Sequence, residues 1–306
     1  MNDSNLKYQI IYEIVSAEDN VLNIKELCDI AGVSRSGYYA WVNAEPKRIQ
    51  RDIQDKKDFE LILQAFQYRG YDKGVRGIHM RLLHTGIRMN QKKIRRLMRK
   101  YNLACPVRKQ NPYRQMLRAM KTNSISENLV NREFREFGPR TILLTDITYI
   151  RLNNEFIYLS VILDAYTKEV LSYVLSESLE IDFVLQTINL LIHKHGESLS
   201  SSTIIHSDQG SHYTSIKFRQ LLEDSNLRQS MSRRGNCWDN APLESFFGHM
   251  KDELKPYISE WTTIQDAKAS IDDWMDYYNN ERYQWDLAKL SPTQFYNYYL
   301  TGIYPI

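Results

Sequence analysis

The chemistry this 306-residue chain can offer rests on three acids. Asp146 lies inside the apolar run Ile142 to Ile150, Asp208 follows the β-branched run Thr203 to Ser207, and Glu244 comes later, with 35 residues between it and Asp208. Carboxylates are hard oxygen ligands that hold Mg²⁺ or Mn²⁺ while leaving coordination positions open. A pair of such ions can cut or join a phosphodiester, because together they serve the attacking oxygen, the leaving oxygen and the charge at phosphorus. Taken singly, each acid has a plainer use. An aspartate just past a strand forms turns, and a glutamate in a first helical turn answers the positive end of the helix dipole.

Three distant acids need a scaffold that gathers them. Ile142 to Ile150, Phe156 to Leu163 and Val170 to Leu175 have the composition of strands, with turn chemistry at Asn153-Asn154 and from Asp164 to Lys168, so they predict an antiparallel meander. Phe183, Val184, Ile188, Leu191 and Ile192 recur at helical spacing between Asp182 and His193. A strand then leads to Asp208, a helix is expected near Ile216 to Leu222, and a short strand near Leu227 to Met231. The polar loop Arg233 to Asp239 runs into Asn240, an N-cap type, and Pro242, which suits a first turn, so a helix begins just before Glu244. Glu244, Gly248 and Lys251 then share one face. Asp164 is a fourth acid, read as a turn residue. His206 is open between orienting substrate and packing beside its strand.

The segments around these acids resemble one family. HSDQGSHYTS at 206–215, SMSRRGNCWDNAPLESFFGHMKDEL at 230–254 and YYNNERYQWDLAKLSP at 277–292, with the Asp, Asp, 35 residues, Glu spacing, are similar to the DDE transposases of two-frame bacterial insertion sequences, second-reading-frame products with a retroviral-integrase-like core. The resemblance implies an α/β fold, a ribonuclease-H-like catalytic core preceded by all-α helix-turn-helix modules. It implies two Mg²⁺ or Mn²⁺ ions, Asp146 bridging both, Asp208 completing one site and Glu244 the other. Water attack would expose a 3′-OH and the same site would direct it at a second strand, with no covalent enzyme intermediate. Lys251 would aim at a DNA phosphate, and Arg233, Arg234, Gly235 and Asn236 read as an active-site loop able to close on DNA. The chain departs from the pattern at Gln284, where many members carry His. The Tyr and Trp residues of that tail are read as packing rather than nucleotide stacking.

A net charge of +3 conceals an asymmetry. Residues 46 to 121 hold 21 Lys and Arg against 5 Asp and Glu, a surplus of 16, which leaves the rest acidic by 13. A polyanionic partner follows. Apolar residues from Leu6 to Val15 predict a first helix; Asn23 caps a second with Ile24, Leu27, Cys28 and Ile30 on its apolar stripe; Gly32 turns the chain; and Ser34 caps a third that runs toward Trp41. This reads as a helix-turn-helix with Arg35, Ser36 and Tyr39 outward, or equally as a small packing module around Tyr38 and Trp41. Pro46 to Arg51 reads as a linker, and Phe59 to Phe66 as a further helix. A second helix-turn-helix pattern runs from Gly77 to Leu83, turns at Gly86 and resumes at Asn90, with Ile94, Leu97, Met98 and Tyr101 inward. Lys92, Lys93, Arg95, Arg96, Arg99 and Lys100 crowd that last helix, where like charges repel by a few tenths of a kcal/mol per pair. A DNA partner would relieve this, with phosphates contacted more surely than bases.

These readings divide the chain into a helix-turn-helix module (1–45), a basic helical DNA-binding module (46–103), a connector (104–138), the catalytic core (139–260) and a C-terminal helical extension (261–306). Cys28, Cys105 and Cys237 are too few and too scattered for a disulfide framework or a zinc pair, so they are read as reduced and no zinc is expected. No apolar run is long enough for a membrane span and no signal pattern opens the chain, so a bacterial cytoplasmic protein, nucleoid-associated when bound to DNA, is expected. The expected partners are the terminal inverted repeats of an element, target DNA, a second copy or more on DNA, and the product of the preceding frame, alone or as a fusion. Two other readings remain, a nuclease of the same fold that does not join ends and a catalytically silent DNA-binding repressor.

Overall fold

The computed structural model describes residues 3–18, 20–70, 73–105, 137–232 and 241–305. Most of the expected connector lies outside them, as do Arg233, Arg234, Gly235, Asn236, Cys237 and Asn240. The chain divides into two compact units, Met1–Ala65 with Asn90–Ala104, and Phe66–Met89 with Cys105–Ile306. Among the described residues no helix is long and apolar enough to cross a membrane.

In the smaller unit, α1 (Asp3–Val15), α2 (Ile24–Ala31) and α3 (Arg35–Asn43) close around Ile11, Leu27, Cys28 and Tyr38. Their ends are written in the sequence. Asn23 and Glu26 exchange backbone bonds in a capping box, and Gly32 ends α2 at φ 64°, a conformation that costs glycine nothing. Ser34 accepts from Gly37 N at 3.1 Å to start α3. Arg35, Ser36 and Tyr39 are exposed as expected. Ile30 is not on the buried stripe; it is 75% exposed.

The linker expected at Pro46 to Arg51 is instead helix. α4 (Glu45–Gln67) runs through it for 23 residues. Pro46 is the second residue of the helix, where its missing N–H has no partner to lose, and the Lys, Arg and Gln residues after it favour helix. Arg48 fastens this start by laying its guanidinium 3.9 Å from the Trp41 ring and donating to the Trp41 carbonyl. The two helices of the second expected helix-turn-helix, α5 (Val75–His84) and α6 (Gln91–Lys100), both form, and Asn90 caps α6 by accepting from Lys92 N at 2.8 Å. They belong to different units, α6 to the smaller and α5 to the larger. The reason for α5 is visible in its ion pairs, because Arg81 reaches Glu281 at 3.1 Å and Arg69, just before it, reaches Asp273 and Glu281 at 2.8 Å each.

The larger unit is built on a five-stranded sheet. β1 (Ile142–Leu152), β2 (Glu155–Asp164) and β3 (Val170–Ser176) form the expected antiparallel meander. α7 (Ile181–His195), β4 (Ile204–Ser207), the single turn α8 (Ser211–Thr214), α9 (Ile216–Asp224) and β5 (Arg228–Met231) follow. The order is β3-β2-β1-β4-β5, with β4 and β5 parallel to β1, which is the ribonuclease-H-like arrangement. α7 and α9 cover one face through Phe183, Ile188, Phe218 and Leu222, against Leu143 and Ile162. α10 (Ala241–Ile258) and α11 (Ile264–Asn280) cover the other through Leu243, Phe246, Met250 and Trp274, against Leu144 and Ile150. A last helix, α12 (Pro292–Thr301), lies in the stretch read as a C-terminal helical extension and is started by a capping box of Ser291 and Gln294 with Pro292 in the first turn.

Candidate active site

Strand register alone brings the two aspartates together. Leu144 stands opposite His206 in the parallel β1–β4 pair. Two residues further along each strand are Asp146 and Asp208, which therefore emerge side by side where neighbouring strands lie about 4.8 Å apart. Alternation along β1 puts Asp146 on the face of Leu144 and Ile150, which α10 covers. Glu244 stands in the first turn of α10, beside the buried Leu243, so the packing that seats the helix also delivers the third carboxylate.

The electrostatics register that meeting. Burial, followed by the charges of Asp208 and Glu244, pushes the Asp146 carboxyl up to about 7, against the opposing effects of a bond from Ile147 N and of Lys251. Each aspartate is oriented by a backbone amide, Ile147 N donating to Asp146 at 2.7 Å and Gly210 N to Asp208 at 2.9 Å. A Cβ on Gly210 would stand 2.9 Å from that same Asp208 oxygen, so the loop needs a glycine there. Among the described residues no three His, Cys, Asp or Glu side chains are close enough to hold one ion among them. Asp208 and Glu244 thus act on Asp146 through their charges rather than through a shared contact. Hard oxygens with unbalanced negative charge, one of them driven toward its protonated form, fit divalent cations shared by pairs of these acids.

Lys251 lies two turns along α10 from Glu244 and is half-buried, which lowers its pKa while the Asp146 charge opposes the shift. Its Nζ is 4.9 Å from the centre of the Tyr149 ring. Tyr213, which the sequence reading passed over, is buried against Phe218, and its hydroxyl is held well above the usual range by burial and then by the nearby Asp146 charge. Its only signal was its place in the segment that follows Asp208. His206 is fully buried with Nδ1 3.1 Å from Ser230 Oγ, so it packs beside its strand.

Asp164 is a turn residue. It accepts from Tyr166 N and Thr167 N at 2.8 and 3.3 Å, and from Arg140 N and Arg140 Nη1 at 2.9 and 3.2 Å. Glu169 completes a buried cluster by accepting from Arg140 Nη2 at 2.7 Å. In the tail, Arg282 binds Glu253 of α10 at 3.0 Å, and Trp274 Nε1 donates to the same carboxylate at 3.0 Å. Tyr277 and Tyr278 are buried, so these two pack and help fix the helix that carries Glu244 and Lys251, whereas Trp285 of the same tail is 40% exposed.

In the smaller unit the six cations of α6 fall into two rows. Lys93, Arg96 and Lys100 face α4, where Lys93 pairs with Asp58 at 2.5 Å, Arg96 grips Asp55 with two bonds of 2.7 Å, and Lys100 reaches Asp52 and Asp55 at 2.6 and 2.9 Å. Lys92, Arg95 and Arg99 form an exposed row with no ion pair among the described residues. The repulsion foreseen along α6 is therefore relieved on one side from within the chain. Lys47, Gln50, Arg51 and Gln54 of α4 line an open groove with Lys93 and Arg96.

Comparison with known proteins gives matches along most of the chain. Integrase core domain profiles match residues 137–237 and 225–292, and an HTH-like domain profile matches residues 53–111. The insertion element IS600 uncharacterized 31 kDa protein of Shigella sonnei is 30% identical over 271 residues, 88% of this chain and 97% of that protein. The putative transposase InsK for insertion sequence element IS150 of Escherichia coli is 30% identical over 276 residues, 90% of this chain and 93% of that protein. Among solved structures, the HTLV-2 integrase catalytic core domain in complex with magnesium matches 52% of this chain and 97% of its own at 16% identity, with a TM-score of 0.40.

Proposed function

The chain belongs to the IS3 family of insertion-sequence transposases, and from that premise we propose that it binds the ends of its own element, cleaves there and joins the freed 3′-OH to new DNA at Asp146, Asp208 and Glu244. The observation that carries this reading is the electrostatic meeting of the three acids, in which burial and the Asp208 and Glu244 charges push Asp146 up to about 7. Two Mg²⁺ or Mn²⁺ ions, when bound, supply the charge neutralisation and oxygen activation that an in-line phosphoryl transfer needs.

The chain's own part is positioning. Asp146, Asp208 and Glu244 would hold these ions, and the Ile147 and Gly210 amides orient the two aspartates. Asp146, raised to about 7, would have to be deprotonated to serve as a ligand. Lys251, partly desolvated beside the acids, takes a phosphate oxygen of the strand in the site. Duplex DNA is gripped elsewhere, through Lys92, Arg95 and Arg99 on the free row of α6. Lys93, Arg96 and Lys100 reach phosphate only by leaving their aspartates. The loop Arg233, Arg234 and Asn236 belongs to the same proposal as a DNA contact, outside the described residues.

The test is cleavage and joining of a duplex bearing the terminal repeat found beside the gene, with Asp146→Asn, Asp208→Asn and Glu244→Gln. Each variant should lose chemistry by more than about a hundredfold, the upper range for disturbing only the partners of metal ligands, and keep end binding. Activity that survives any of the three removes that residue from the site.

A further inference from the structure

The sheet leaves two aromatic rings in the open three and more residues beyond Asp146, on the opposite face of β1 by its alternation, with Lys251 reaching the edge between them. Tyr149 is 62% exposed and Phe156 is 49% exposed, in strands whose other apolar side chains are mostly buried. Tyr149 stands opposite Tyr158 in the β1–β2 register, which makes Phe156 its diagonal neighbour on the same face, and their rings meet edge to face at 5.4 Å. Exposed Arg151 shares that face. β4 pairs with β1 only from Ile142 to Leu144, so beyond Asp146 that edge of β1 carries no neighbouring strand among the described residues. Lys251 spans this edge, because it adds to the field at Asp146 while its Nζ stands 4.9 Å from the Tyr149 ring. Three residues of strand, about 10 Å, separate Asp146 from Tyr149.

We infer that Tyr149 and Phe156 form a stacking platform for an unpaired nucleobase of the DNA end, held there while the adjoining phosphate engages the carboxylates. This rests on the proposed function, since it names the part of the DNA that reaches the same site. Two rings are too small a surface for a stable subunit contact, which takes about 800 Å² per partner, and they suit one or two bases, whose faces stack on aromatics whatever their sequence. The charges agree with this occupant. Lys251 and Arg151 flank the rings with cations suited to the phosphates on either side of a base. Release of the base from its partner places its strand, rather than the duplex, along the free edge of β1.

The experiment uses the full chain and a terminal-repeat duplex carrying 5-iodouracil at single positions next to the cleaved phosphate, irradiated without divalent metal. Crosslinks should map by mass spectrometry to Tyr149 or Phe156. Tyr149→Phe, which keeps the ring, should keep the crosslink. The double variant Tyr149→Ala, Phe156→Ala should lose the crosslink and cleave a paired end roughly tenfold more slowly, and an end with mismatched terminal bases should recover part of that loss. Crosslinks that map elsewhere, or a double variant that cleaves paired ends like the parent, overturn the platform. So does a double variant that changes the oligomeric state in sedimentation without altering the crosslink. Failure of the unsubstituted chain to bind or cleave the end would instead count against the proposed function. Hydrogen exchange at β1 and β2 separates a folding defect from a lost platform.

Discussion

Asp55→Asn tests how the chain apportions its own cations. The Asp55 side chain is 3% exposed and accepts two bonds from Arg96 and one from Lys100, whose side chains are 50% and 36% exposed. These bonds hold its carboxyl well below the usual carboxylate range, the Arg96 bond foremost and Lys100 after it, despite burial. Removing one partner of a fully buried pair costs about 3–5 kcal/mol. Here the two cations can recover water where they stand, and asparagine keeps one acceptor, so the expected cost is about 2 kcal/mol. That corresponds to roughly 30-fold faster hydrogen exchange of the α6 amides, with β1 and β2 unchanged.

The same substitution frees Arg96 and Lys100 for phosphate. Each new phosphate contact steepens the salt dependence of DNA affinity by about 0.9 in log units, so fluorescence anisotropy across a salt series should return a slope steeper by about 1 to 2. The pH response has a definite sign. A carboxyl with a depressed folded pKa stabilises above its unfolded value of about 3.9, and that contribution is lost as pH falls through the folded value. The parent's smaller unit should therefore lose stability below about pH 4 more steeply than Asp55→Asn does. Unchanged exchange together with an unchanged salt slope would refute the two-row account of α6.

Lys92→Gln, Arg95→Gln and Arg99→Gln should each lower the salt slope by about 1 and leave thermal stability within about 0.5 kcal/mol, as measured by anisotropy and calorimetry. For Asp146, whose carboxyl is pushed up to about 7, Mn²⁺ affinity by calorimetric titration should rise roughly tenfold between pH 6 and pH 8, because the proton must leave first. A raised folded pKa means that the folded state binds the extra proton, so Asp146→Asn should raise the melting temperature above about pH 4 in metal-free buffer and not below it. Arg140→Ala should destabilise the larger unit by about 3–5 kcal/mol, since it strands Asp164 and Glu169 in the interior. A loss under 1 kcal/mol by chemical denaturation would show that cluster to be unimportant.

The larger unit was legible in the sequence because its signals are local. Apolar runs of strand composition placed β1, β2 and β3 to within two residues, and turn chemistry at Asn153, which adopts φ 54°, placed the first hairpin. The grouping of Asp146, Asp208 and Glu244 as one site rests in the sequence only on spacing and motif, for no local rule states that β4 pairs with β1. What stayed hidden depends on tertiary partners. The Pro46 stretch looked like a linker because proline in an interior breaks helices, and only its position at the second residue rescues it. The cations of α6 looked equivalent because periodicity shows which residues share a face but not which face meets Asp52, Asp55 and Asp58. Tyr149 and Phe156 read as ordinary strand residues, since alternation cannot tell where a covering helix stops.

The placement of charge explains why the fold tolerates its own centre. Burial of Asp146, with the charges of Asp208 and Glu244 added to it, works against the folded state, and its raised pKa registers that cost. The elements that carry them are fastened away from the carboxylates. β1 is held near its start by Arg140 between Asp164 and Glu169, and α10 is held beyond Lys251 by Glu253 with Arg282 and Trp274. The β1 staple lies six residues before Asp146 and the α10 staple nine residues after Glu244, so the carboxylates cannot relax apart by sliding either element. On the proposed function, a cation bound by these acids would relieve the repulsion that the scaffold holds in place. Loosening either staple should therefore lower metal affinity along with stability, even though neither touches the metal site.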